Sequence, residues 1–389
     1  MKTIYLDNAA TTPLDDRVLE AMKPYFSLKF GNASSLHQKG QEAKMALEES
    51  RAIIAKSINA KIDEIIFTSG GTESNNLAIK GLAFAYPDKK HIIISSIEHD
   101  CVLNACKFLE KQGYKITYLN ADSEGFIDLK ELEKAITKDT LLISIIHGNN
   151  EIGTIQDLEE IGKICRAKKV YFHTDACQSY TKTLIDVKKQ NLDLVTLNAH
   201  KIHGPKGVGA LYLREGIKII PLAHGGGHEK NRRSGTENIP GIVGFAEAVK
   251  IARKSDVEKM RKLRDKLISG LEKISMARLN GPRGEKRLAN NVNFSFENVE
   301  GEAVGGYLDA EGICSSTGSA CSSKSLEPSH VLLAIGLKPE QAHGSLRLSL
   351  GKLNTEEEID YVLEILPKVI EKLRKISPFE KIVDKLVGK

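Results

Sequence analysis

Between about residues 60 and 215 short β-branched apolar runs alternate with amphipathic stretches of helical length. The apolar runs cover 64–69, 91–96, 114–120, 141–147, 169–176, 193–200 and 208–214, and the stretches between them include 72–86, 99–112 and 158–168. This βα rhythm predicts an α/β domain built on a mostly parallel sheet of seven strands with helices on both faces. After Gly244 the pattern changes to a long charged helix over 254–274, a Gly/Pro/Arg loop over 280–286, a strand over 291–296 and a final helix, which together imply a smaller α+β domain. The final helix opens with Thr355-Glu-Glu-Glu358, the spacing of a capping box. Its apolar face is Ile359, Val362, Leu366, Val369 and Leu373, and Pro367 is expected to kink it because proline removes a backbone donor.

Composition narrows this picture only modestly. A chain of 389 residues exceeds one simple core, and 41% hydrophobic residues supply enough for two. The 56 basic residues nearly balance the 51 acidic ones, with no dense basic block, so a direct nucleic-acid partner is not favoured. The longest apolar runs are strand-sized and the amino terminus turns polar at once, so a cytoplasmic protein without a membrane anchor is expected. The cysteines, at 101, 106, 165, 177, 314 and 321, form no C-x-x-C pair, which argues against structural zinc or a redox dithiol. All but Cys321 fall in strand-like or helical patterns, where cysteine acts as a small hydrophobe. Cys321 stands in Ser315-Ser-Thr-Gly-Ser-Ala-Cys-Ser-Ser-Lys-Ser325, a small-residue loop without periodicity, where an exposed thiol is free to act as a nucleophile.

In open parallel sheets ligands collect at the carboxyl ends of the strands, so the polar residues there carry the chemistry. Lys201 follows the run that begins at Asp193 and precedes a Gly/Pro turn, with His200 beside it and Lys206 near. A lysine so placed can lose its proton and form a Schiff base. Gly70-Gly71-Thr72 turns from a strand into a helix whose free N–H groups suit a phosphate, though it lacks the lysine of a nucleotide P-loop. His99, Asn149 with Asn150, and Asp175 with Gln178 follow the next strands. Singly, such a histidine is more often structural and such an aspartate more often a helix cap. Together with Lys201 they are the parts that pyridoxal 5'-phosphate needs. Asp175 would keep the pyridine nitrogen protonated, His99 would stack on the ring and shuttle a proton, and Asn150 and Gln178 would bond the ring hydroxyl. Arg347, in an apolar strand-like run, requires a carboxylate partner, either the substrate's or a protein Asp or Glu.

These residues resemble the cysteine desulfurases of the NifS/IscS type, within the class V aminotransferase group of pyridoxal-phosphate enzymes. The likeness runs from Tyr5-Leu-Asp-Asn-Ala-Ala-Thr-Thr-Pro13 through Thr68-Ser-Gly-Gly-Thr-Glu-Ser-Asn-Asn76, Asn149-Asn-Glu-Ile-Gly153, Asp175-Ala-Cys-Gln178, His200-Lys-Ile-His-Gly-Pro-Lys-Gly207, Gly225-Gly-Gly-His-Glu229, Arg233-Ser-Gly-Thr236 and Ser316-Thr-Gly-Ser-Ala-Cys321. It implies a fold-type I homodimer with a large cofactor-binding domain over 14–252 and a small domain formed by 1–13 and 253–389. It implies further that Lys201 carries the cofactor and that Cys321 attacks the sulfur of L-cysteine, so that alanine leaves and a persulfide stays. Gly71, Thr72 and His200 would hold the phosphate end, and Thr236 the phosphate of the neighbouring subunit's cofactor. Cys321 would carry sulfur to an iron–sulfur scaffold or another acceptor, such as transfer-RNA thiolation, and could briefly share a cluster there; no resident metal is expected. Asn198 stands where a phosphate-binding serine is usual, and Ala33 replaces a proline. A class V aminotransferase would need no Cys321, a selenocysteine lyase would use the same residues, and a non-enzymatic sulfur-relay protein would need neither Lys201 nor Cys321.

Overall fold

The structure is a computed structural model and describes residues 3–317 and 327–376. All seven expected strands form one sheet, in the order Ile65–Thr68, Gly209–Leu213, Leu194–Asn198, Tyr171–Asp175, Thr140–Ser144, His91–Ser95 and Lys115–Leu119. Every pairing is parallel except the two made by Gly209–Leu213. The link over 199–208 explains that exception, since a parallel crossover needs a dozen or more residues.

Successive side chains along these strands feed two different cores, as a pleated sheet covered on both faces requires. Ile65, Phe67, Ile93, Ile143, Val195, Leu197, Ala210 and Tyr212 pack on one side with the helices Gln38–Ser57, Leu158–Lys168 and Ile239–Ile251. Ile66, Ile92, Ile94, Leu142, Leu194, Leu211 and Leu213 pack on the other with Asp100–Glu110 and the segment 71–85. Ile92, Ile93 and Ile94 are all fully buried, and each contributes about 2–3 kcal/mol of apolar burial. The segment expected as a helix over 72–86 is Gly71–Asn76, continued through a wider π turn at Leu77–Gly81 into Leu82–Ala85.

A separate core joins an antiparallel sheet, Ser345–Ser349, Asn291–Phe296 and Ala277–Leu279, to the helices Lys254–Leu271, Gly301–Ala310 and Glu356–Ile376. The amino-terminal residues Ile4 and Leu6 belong to it, and the strand Ile4–Tyr5 runs parallel to Ile313–Cys314. The last helix has its capping box: the Thr355 N–H donates to Glu358 and the Glu358 N–H to Thr355 Oγ1. It continues through Pro367 to Ile376 as a single element.

Candidate active site

Five strand ends deliver polar groups to one rim of the large sheet. At the end of Ile65–Thr68 the chain turns through Gly70, whose φ of 153° is open to glycine alone, into the helix beginning at Gly71. A Cβ on Gly71 would stand 2.6 Å from Cys177 Sγ and 3.7 Å from Asn198 Nδ2, so glycine lets the helix start approach the neighbouring strand ends. Asn198 ends its strand fully enclosed, with Oδ1 unpartnered among the described residues.

Asp175 ends the central strand, nearly buried, with Oδ1 accepting from the Cys177 N–H at 2.9 Å and Oδ2 from Asn75 Nδ2 at 2.7 Å. Burial alone would raise its carboxyl, but these bonds and the facing His99 hold it below the ordinary aspartate range. His99 caps the helix Asp100–Glu110, accepting the Cys101 N–H at Nδ1. Burial first, and then the nearby Lys201 ammonium, lowers its basicity. Lys201 follows Asn198 in the turn, near enough for its charge to act on His99, Cys101 and Cys177. His200 is pushed down to about 4 by burial and by Lys201, Lys206 and Lys182, and its Nδ1 meets Thr11 Oγ1 at 3.2 Å.

The other expected residues are placed more loosely. Gln178 Nε2 donates to the Ala9 carbonyl at 2.8 Å. Asn149 is a cross-tie, donating to the Ile97 carbonyl and accepting the N–H groups of Glu151 and Ile152. Asn150 reaches the site through its carbonyl, which accepts from Arg347 Nη1 at 3.2 Å. The carboxylate partner of Arg347 is a protein one: Nη2 meets Asp7 Oδ1 at 3.0 Å, while the buried Nε has no partner among the described residues. Thr72 lies in the first turn of the helix, and Thr236 lies exposed beyond Arg233. Arg233 pairs with Glu73 at 2.8 Å, tying that segment to the same helix start. Thr236 itself makes no hydrogen bond to the rim among the described residues. Cys321 lies outside the described residues. The flanks of its segment are fixed: Ser316 exchanges backbone hydrogen bonds with Arg347, Ser329 Oγ donates to Glu151 Oε2 at 2.5 Å, and His330 Nε2 meets the Glu98 carbonyl at 2.9 Å.

Several contributors were not singled out in the sequence. Asp7 and Asn75 lie inside matched motifs, which was the only signal available for them. Lys182 donates to the carbonyls of Gln178 and Lys201 and is pushed down to about 7 by burial and by Lys201. Glu98 and Glu151 are buried carboxyls raised to about 8 and about 7 by desolvation. Cys101 is not merely a packing residue, since its Sγ contacts both Asn75 and His99. No group of three or more His, Cys, Asp or Glu suited to a metal occurs among the described residues.

A strand-end lysine, a buried carboxylate and a glycine turn opening a helix define the class of protein, and the comparisons agree. Residues 4–362 match the aminotransferase class-V family. A cysteine desulfurase IscS of Dictyoglomus turgidum is 56% identical over 384 residues, covering 97% of each chain. Among solved structures a NifS-like protein superposes with a TM-score of 0.89 at 42% identity, covering 95% of this chain and 99% of its own. SspA in complex with cysteine superposes at 0.82 with 42% identity, over 91% and 100%. The chain belongs to the aminotransferase class-V family, in its cysteine desulfurase branch.

Proposed function

We propose that this cysteine desulfurase binds pyridoxal 5'-phosphate at the sheet rim through Lys201 and moves the sulfur of L-cysteine onto Cys321. The observation that carries the reading is Asp175, a buried carboxylate held ionised by donated hydrogen bonds at the end of the strand beside Lys201. The residues suit the group. The close helix start at Gly71 and Thr72, with Asn198 near it, suits the phosphate end, which His200 would join; Gln178 and Asn150 would bond the ring hydroxyl, and His99 would cover the ring.

When bound, the protonated pyridine withdraws electrons from the substrate Cα and weakens its bonds. Asp175 would keep the proton on the pyridine nitrogen, and the Lys201 amine would carry the Cα proton. Arg347, paired with Asp7 through Nη2, would receive the substrate carboxylate beside that contact. The thiolate of Cys321 attacks the cysteine sulfur, the carbon–sulfur bond breaks, Cβ gains a proton, and alanine leaves with a persulfide remaining on Cys321.

A homodimer with shared sites is supported by Phe26, Leu28, Phe30, Leu36 and Met45, apolar side chains exposed close together in the chain, Leu36 by 92%. Thr236 would reach the partner's cofactor phosphate from its exposed segment. The separation of the cores flanking the large sheet from the core that joins Ile4 and Leu6 to the helices from Lys254 onward supports the division into 14–252 and 1–13 with 253–389. No helix among the described residues is long and apolar enough to cross a membrane. A cytoplasmic site of action, with sulfur acceptors, an iron–sulfur scaffold among them, as partners, completes the proposal. The test measures alanine and protein-bound persulfide together after adding L-cysteine. Cys321→Ser should abolish both, and Lys201→Ala should abolish them and the visible cofactor band. Sulfide release at the parental rate by Cys321→Ser would overturn the reading.

A further inference from the structure

Cys101 stands in the first turn of the helix Asp100–Glu110, between two residues of the rim. Its backbone N–H donates to His99 Nδ1 at 3.2 Å, and its Sγ lies 3.0 Å from the same nitrogen. From the other side Asn75 Nδ2 lies 3.0 Å from Cys101 Sγ and 2.7 Å from Asp175 Oδ2. An amide nitrogen carries two hydrogens and can serve both acceptors. The backbone N–H marks Nδ1 as an acceptor, so a thiol facing that nitrogen meets it as a donor. Burial keeps the thiol protonated by pushing it up to about 12, so the S–H is present to be given. Asn75 therefore donates both to the Asp175 carboxylate and to the Cys101 sulfur, and the Cys101 thiol donates onward to His99 Nδ1.

We propose that Cys101 is a positioning residue that holds His99 in one neutral tautomer, with Nδ1 bare and the proton on Nε2. The inference rests on the reading of His99 as the residue that covers the ring and carries a proton. The charged groups facing His99 oppose one another: Lys201 and His330 disfavour its cation, while Asp175 and Asp100 favour it. Burial already disfavours the cation, and the donors at Nδ1 fix which nitrogen stays bare, because a proton there would confront both the backbone N–H and the thiol. The same shift disfavours a role as a second sulfur carrier, since the attacking species is the thiolate. A purely packing role would not bring Sγ to two polar partners.

Nitrogen-15 labelling of the histidine rings in the full-length, cofactor-loaded protein reads the tautomer directly, with His99 assigned through His99→Gln. The parent should show Nδ1 unprotonated and Nε2 protonated. Cys101→Ala should raise the His99 titration midpoint by about half a pH unit, roughly threefold in proton affinity, the worth of one thiol hydrogen bond. Cys101→Ser, which keeps a donor, should return it toward the parent. A proton on Nδ1 in the parent overturns the proposal, and so does a Cys101→Ala titration that coincides with the parent. The tautomer is read in the unaltered protein, so the test stands even if Cys101→Ala does not fold. Parental cysteine turnover in His99→Gln would defeat the role of His99 while leaving the tautomer result in place.

Discussion

The substitution Gly71→Ala puts the proposed cofactor seat under a defined load. The added Cβ would stand 2.6 Å from Cys177 Sγ, about 1 Å inside the roughly 3.5–4 Å at which such atoms rest. Cys177 is buried and has one rotatable side-chain bond, so either it changes rotamer or the helix start retreats from the strand ends. Overpacking of this kind costs about 1–3 kcal/mol. Alanine is the better helix former by about 1 kcal/mol, so a net loss would mean that the clash outweighs propensity. If the retreat is taken at the phosphate seat, pyridoxal phosphate affinity should fall roughly five- to 150-fold. Removing the obstructing sulfur tests the cause: Cys177→Ala alone should cost about 1 kcal/mol of stability, but combined with Gly71→Ala it should restore most of the lost affinity. The assay is cofactor titration of the stripped protein, followed by absorbance, for all four members of the cycle. Parental affinity in Gly71→Ala, or no recovery in the double variant, would refute the reasoning.

Other outcomes follow from the same geometry. Asp7→Asn removes the charge that shares Arg347, so KM for cysteine should fall by roughly threefold with kcat little changed; an unchanged or higher KM would mean that Asp7 orients the guanidinium rather than competing for it. Glu98 is raised to about 8 in the folded chain, so it binds its proton more tightly folded than unfolded. Its contribution is therefore fully present below its unfolded value near 4.5 and is lost as pH rises through about 8. Glu98→Gln, which mimics the protonated acid and can donate from the unpartnered Oε2 position, should flatten the fall in Tm between about pH 4.5 and about pH 8; a parallel fall in both proteins would remove Glu98 as its source. Thr355→Ala should destabilise the small domain by about 1 kcal/mol in denaturant unfolding, through loss of the cap on its last helix.

The seven strands were legible because both faces of the large sheet are covered, which makes each strand a nearly continuous apolar run bounded by turns. That same continuity hides direction, so the antiparallel course of Gly209–Leu213 emerges only from its short connection. Lys201, Asp175 and His99 could be found because strand order places them at one rim. Their supporting partners could not, because those contacts join distant parts of the chain: Arg347 to Asp7, Asn75 to Asp175, and Ser329 to Glu151. The partner of Arg347 shows the limit clearly, since burial demanded a carboxylate but spacing could not say whose. Cys101 shows another, because a cysteine in an amphipathic helix reads as packing until its neighbours in space are known.

The fixed flanks of the Cys321 segment also limit how far delivery can extend. Ser316 is hydrogen-bonded to the strand of Arg347 and Ser329 to the turn after Asn150, so both tethers start at the cleft itself. Covalent chain length allows the Cys321 Cα no more than about 18 Å from Ser316, however the intervening residues are arranged. If Cys321 carries the sulfur as proposed, a recipient must bring its accepting group within a side chain's length of that radius, and a bulky recipient whose reactive group is recessed would be turned away by distance alone.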